Sequence, residues 1–69
     1  MIELLIASVP DKEKVVAELW VENYQLAEVY NENEELQINI FSYPEVSWKG
    51  LSLTEFLSRL NEAHKKLSY

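Results

Sequence analysis

The spacing of apolar residues divides the chain into a strand-like stretch and a helical end. From residue 53 onward, Leu53, Phe56, Leu57, Leu60, His64 and Leu67 recur at steps of three and four, the stripe of an amphipathic helix. Ser52-Leu53-Thr54-Glu55 before it is a capping box: the Ser52 hydroxyl accepts from the Glu55 amide, and the Glu55 side chain reaches back. Leu51 and Phe56 stand where a hydrophobic staple fixes the entry angle. Glu55 with Arg59 and Glu62 with Lys66 make favourable i,i+4 pairs, and Lys65 and Lys66 suit the negative end of the helix dipole. Gly50 punctuates the loop ahead of this block. The pattern predicts a helix over residues 53–67.

Upstream the period is two. Leu36-Gln37-Ile38-Asn39-Ile40 alternates as a half-buried strand does, which predicts a strand over 35–42. Residues 2–8 form a short apolar run ended by the Pro10-Asp11 turn signal, a second strand. Residues 15–30 fit either period. Val16, Trp20, Tyr24 and Ala27 lie at helical spacings, but Val15, Val16, Trp20, Val21, Tyr24, Val29 and Tyr30 favour strands. Glu22-Asn23 can serve as a two-residue turn. The reading adopted is two strands, 14–21 and 24–30. The predicted fold is α+β: an antiparallel β-meander of four strands packed on one C-terminal helix, a single domain over 1–69.

Val16-Ala17-Glu18-Leu19-Trp20, Ala27-Glu28-Val29, the alternation of Leu36, Ile38 and Ile40, Trp48, and Leu53, Phe56, Leu57 and Leu60 together resemble a group of small uncharacterised bacterial proteins. The resemblance spans roughly residues 15–67 and implies a β-meander followed by one C-terminal helix. It implies no activity. Where that group has a glycine-containing turn, this chain has Asn31-Glu32-Asn33-Glu34.

A two-residue turn at Glu22-Asn23 would pair Val21 with Tyr24, Leu19 with Leu26 and Val15 with Tyr30 on one face. It would pair Val16 with Val29, Glu18 with Ala27 and Trp20 with Gln25 on the other. Both faces then carry large apolar groups, and one helix covers one face. The second is expected to be covered by a second copy, by a partner or by the Tyr43–Leu51 loop with Trp48, or else to stand exposed.

Composition narrows the function classes. A chain of 69 residues buries only about 60% of its unfolded surface, so its core is thin and self-association is a usual remedy. There is no cysteine, which removes disulfides, thiolate zinc sites and cysteine nucleophiles. At 48% hydrophobic and 12% aromatic the chain is too apolar for disorder. No apolar run reaches the roughly 18 residues of a membrane span. The start carries Glu3 and lacks the basic head of a secretory signal, and a cytoplasmic location is expected. Residues 15–48 hold seven glutamates and no Lys or Arg, within a net charge of −6. That one-sign surface repels phosphate backbones and attracts cationic proteins.

Candidate chemistry is sparse. Glu18 and Glu28 could form an acid/base pair, but the register above puts them on opposite faces, where they serve as solvated or rim carboxylates. His64, the only histidine, reads as an amphipathic group at the core margin. Asn31-Glu32-Asn33-Glu34-Glu35 lacks the glycine and spacing of a calcium loop. No serine has a nucleophile-elbow setting. Gly50 is the sole glycine, so no phosphate-binding loop exists. No catalytic, cofactor or metal residue is assigned.

The expected function is therefore a non-enzymatic interaction module, a homodimer that meets a basic protein through its acidic sheet. An antitoxin, immunity or inhibitor protein acting on a basic bacterial enzyme such as a nuclease is the specific version. Trp20, Glu22, Glu32, Glu34 and Glu35 are the expected contact residues. The rival classes are a small enzyme or enzyme subunit using His64 with a carboxylate, and a purely structural dimeric subunit.

Overall fold

The structure, a computed structural model, describes residues 1–8 and 15–68. Four strands, β1 Glu3–Ser8, β2 Val15–Val21, β3 Tyr24–Glu32 and β4 Glu35–Ile40, precede one helix, α1 Leu53–Leu67. The strands form one antiparallel sheet in chain order. The helix packs chiefly on β1, β2 and β3. The α+β meander expected from the sequence is thus the observed fold. β3 runs two residues further than expected and β4 ends at Ile40. The Pro10-Asp11 turn and residue 14 lie outside the described residues.

β3 and β4 pair as far as Glu32 and Glu35, so Asn33-Glu34 alone makes the turn. Both residues have left-handed backbone angles, φ +55° at Asn33 and +65° at Glu34. That is the geometry of a type I′ hairpin, whose preferred sequence is Asn-Gly. Asn33 suits its place, whereas Glu34 holds a conformation that a Cβ disfavours.

The β2–β3 hairpin corrects the register read from the sequence. Val21 pairs with Tyr24 and Trp20 with Gln25, as expected, but Leu19 then pairs with Ala27, Glu18 with Glu28 and Ala17 with Val29. One residue of β3, Leu26, has been inserted between the two registers. Such a β-bulge turns two successive side chains toward the same side. Leu26 and Ala27 are both buried in the core beneath the helix, at 2% and 0% exposure, and Val29 joins them. Leu26, Ala27 and Val29, expected to divide between two faces, are gathered on one, while Val16 and Trp20 remain on the other.

The core consists of Ile2, Ala17, Leu19, Leu26, Ala27, Val29, Ala63 and Leu67, with Phe56, Leu60, Leu51 and Trp48 packed around it. Three of the eight are alanines, two on the sheet and one on the helix, and small residues let a helix approach a sheet closely. Helix residues Phe56, Leu60, Ala63 and Leu67 follow an i, i+4, i+7, i+11 spacing and form the core stripe. Leu53 and Leu57, expected in the same stripe, are 69% and 50% exposed. They share a second stripe with Leu60 and His64, rotated toward β4.

Ser52 caps the helix: its Oγ accepts the Glu55 N–H at 3.1 Å, and its carbonyl accepts the Phe56 N–H at 2.9 Å. The other half of the expected capping box is spent elsewhere. Ile2 is 1% exposed and precedes the paired part of β1, so its backbone groups need partners from outside the sheet. Glu55 Oε2 accepts the Ile2 N–H at 2.9 Å, and Arg59 Nε donates to the Ile2 carbonyl at 2.8 Å. Arg59 is consequently ion-paired to Glu62 at 3.1 Å rather than to Glu55.

Two substitutions test these local assignments by chemical denaturation. Ser52→Ala should lower stability by about 1 kcal/mol through loss of the cap. Glu34→Gly should raise it by about 0.5–1 kcal/mol, because relief of the left-handed strain exceeds glycine's entropic penalty.

Candidate interaction face

The face of the sheet opposite the helix has a composition of its own. Alternation from Leu19 and Ala17 directs Val16, Glu18 and Trp20 to this side. Register then places Glu3 beside Trp20, Leu5 beside Glu18 and Ala7 beside Val16. Across β3 and β4, Glu28 lies opposite Asn39 and Tyr30 opposite Gln37. Tyr30 donates its hydroxyl hydrogen to Gln37 Oε1 at 3.1 Å.

At the centre of this face Glu18 and Glu28 stand directly opposite one another, which corrects the expectation that they lie on opposite faces. The bulge is the cause, since one extra residue reverses the parity of everything after it. Each carboxylate takes one neutral donor: Trp20 Nε1 to Glu18 Oε1 at 3.1 Å, and Asn39 Nδ2 to Glu28 Oε1 at 3.2 Å. Like charges directly opposed on neighbouring strands destabilise a sheet. Both carboxylates are half-buried, and Val16 beside them on the same face is 1% exposed.

The residues expected from sequence do not form one patch. Trp20 is half-buried on this face, one residue before the end of β2. Glu22 lies at the β2–β3 turn, with φ +56°, while Glu32, Glu34 and Glu35 surround the β3–β4 turn. The nine-residue β3 separates the two groups, roughly 30 Å at the rise of an extended strand. Between them stand Glu18 and Glu28; the uniform register put Glu18 on the face of Trp20 but Glu28 on the opposite one.

A second cluster lies at the Glu22 end. Tyr24 and Tyr43 approach with ring centroids 5.0 Å apart, and Tyr43 meets Trp48 edge-on at 6.2 Å. The Tyr43 hydroxyl donates to the Gln25 carbonyl at 2.9 Å, and Trp48 Nε1 donates to the Phe41 carbonyl at 2.8 Å. These bonds bring the connection after β4 back under the helix, so Trp48 packs on the core rather than covering the open face. Tyr24 also donates to Glu45 at 3.3 Å, whose charge holds the phenol above its ordinary pKa.

His64 is exposed and lies within 3.5 Å of the Ser68 hydroxyl. It lines a cleft of about 180 Å³ with Val29, Leu36, Gln37, Ile38 and Leu60, a lining that includes no carboxylate. Among the described residues, no three His, Cys, Asp or Glu side chains are grouped as a metal site requires.

The fold and face define a small antiparallel meander with one covering helix and an acidic, aromatic outer surface. Compared with models of known families, with curated proteins and with solved structures, the chain matches none.

The opposed glutamates yield a stability test. Glu28→Gln should raise the free energy of unfolding by about 0.2–1 kcal/mol at low salt, with the gain shrinking as salt screens the pair. Urea unfolding at two ionic strengths measures both quantities.

Proposed function

We propose that the chain is a non-enzymatic interaction module that binds a basic protein on the open face of its sheet. The observation carrying this reading is the opposed Glu18–Glu28 pair beside Trp20. Among the described residues, these two carboxylates face one another with neutral hydrogen-bond donors on them and no Lys or Arg between them. A partner's arginine or lysine placed between them converts an internal repulsion into two charge-assisted hydrogen bonds. An arginine can also lay its guanidinium on the Trp20 ring. The glutamates at the two turns extend the negative potential along the sheet, where it speeds encounter. An inhibitor or immunity-type protein that neutralises a basic enzyme is the specific form of this proposal.

The test is binding kinetics with the basic protein recovered by affinity capture. Charge reversal at Glu32 and Glu34 should mainly slow association, and added salt should weaken wild-type binding more than mutant binding. Trp20→Ala should instead speed dissociation, since a central aromatic anchor acts after encounter. Glu18→Gln should weaken binding while leaving the free chain as stable or more so. Equal association rates for wild type and the charge-reversed chain at low salt would reduce the acidic surface to a solubility feature.

A further inference from the structure

On the helix side the sheet is wider than its cover. Four strands at about 4.8 Å spacing exceed the width of one helix, which is roughly 10 Å. Because α1 lies over β1, β2 and β3, the β4 end is left open. Ile38 and Ile40 point to this side and are 41% and 60% exposed. The two flanks of the helix differ in kind. Toward β1 it presents Glu55, Arg59 and Glu62, engaged with Ile2 and with one another. Toward β4 it presents Leu53, Leu57, Leu60 and His64. Leu60 and His64 form one wall of the cleft whose floor is Val29, Leu36 and Ile38. An exposed apolar surplus thus lies beside the helix, in addition to Leu5 on the far face.

We propose that two copies of the chain meet on this surface, the Leu53–Leu57 ridge of each helix resting on the Ile38–Ile40 floor of the other. Two features select a second copy over a different protein. First, the surface carries both halves of the fit. It has an exposed apolar ridge on the helix and, beside it, an apolar strip along β4 that the helix leaves uncovered. Such a patch is self-complementary about a two-fold axis, each copy giving and receiving the same contact. Second, the cleft beside the ridge is lined without Asp, Glu, Lys or Arg, Glu62 and Lys65 lying on the outer side of Leu57, and residues 36–44 are wholly uncharged in a chain that is 26% charged. Two molecules of net charge −6 repel elsewhere and can approach here. A basic partner finds no carboxylate in this cleft and is drawn to the opposite face. The inference stands independently of the proposed binding to the open face.

Light scattering and sedimentation velocity at tens of micromolar should show a dimer. Raising salt from about 0.05 to 0.5 M should tighten it, because screening weakens the repulsion between copies. That sign is opposite to the one expected for a basic partner on the open face, so failure of either proposal can be told apart. Leu57→Glu and Ile40→Glu, both at exposed positions, should each raise the dimer dissociation constant by about tenfold or more. Leu5→Gln, at a residue equally exposed on the other face, should leave it unchanged. Circular dichroism verifies that each variant is folded. The chain has no cysteine, so a mixture of Leu57→Cys and Ile40→Cys chains should form the mixed disulfide on mild oxidation. A chain that stays monomeric at both salt concentrations would overturn the proposal. So would a dimer indifferent to both glutamate variants or disrupted by Leu5→Gln.

Discussion

One extra residue in β3 determines which side of the sheet is inside. Without Leu26 the β2–β3 hairpin would keep a single register, and the apolar residues of β3 would divide between the faces. With it, Leu26, Ala27 and Val29 all lie beneath the helix, and Glu28 turns outward to oppose Glu18. The core and the acidic face are therefore two results of the same irregularity. Just beyond the bulge, the Gln25 and Leu26 carbonyls accept hydrogen bonds from the Tyr43 hydroxyl and the Phe41 amide. They tie down the connection that carries Trp48 to the core.

The two sides of the sheet thereby acquire different chemistry. One is acidic and aromatic, with opposed like charges at its centre. The other is apolar and only partly covered, with an edge strand uncharged from Leu36 to Ile40. For a thin core, the second condition bears on stability: few large side chains are fully buried, and Ile38, Ile40, Leu53 and Leu57 remain substantially in water. Charge density on one surface and its absence on the other separate where a cation would settle from where an identical acidic molecule could.

Element types were legible in the sequence because the period of apolar residues changes between Ile40 and Leu53, and because Glu22-Asn23 interrupts a run of β-formers. The Ser52 cap was legible for the same local reason. The bulge was not. Gln25-Leu26-Ala27 carries no glycine or other local sign of an inserted residue, and the preference emerges only when Leu26 can be buried under a helix that begins 27 positions later. The candidate site inherited that error: Trp20 was recognisable as an anchor, but Glu18 and Glu28 were separated by a uniform register. A bulge-permitting alignment that maximised apolar burial on one face would have brought them together. The splitting of the helix into two stripes was equally hidden, because periodicity counts Leu53 and Leu57 as apolar without revealing that they lie on the exposed flank of the helix rather than against the core.

The grip of Glu55 and Arg59 on Ile2 has a consequence for the order in which the molecule forms. Each hairpin joins neighbours in the chain, so β1 to β4 can associate successively as synthesis proceeds from the N-terminal end. The backbone of Ile2, however, finds its acceptor 53 residues away and its donor 57 residues away. Until α1 has emerged, the first buried residue of the chain has no partner for either group and the apolar side of the sheet has no cover. Packing of the last element therefore both covers the apolar side of the sheet and fastens the first strand.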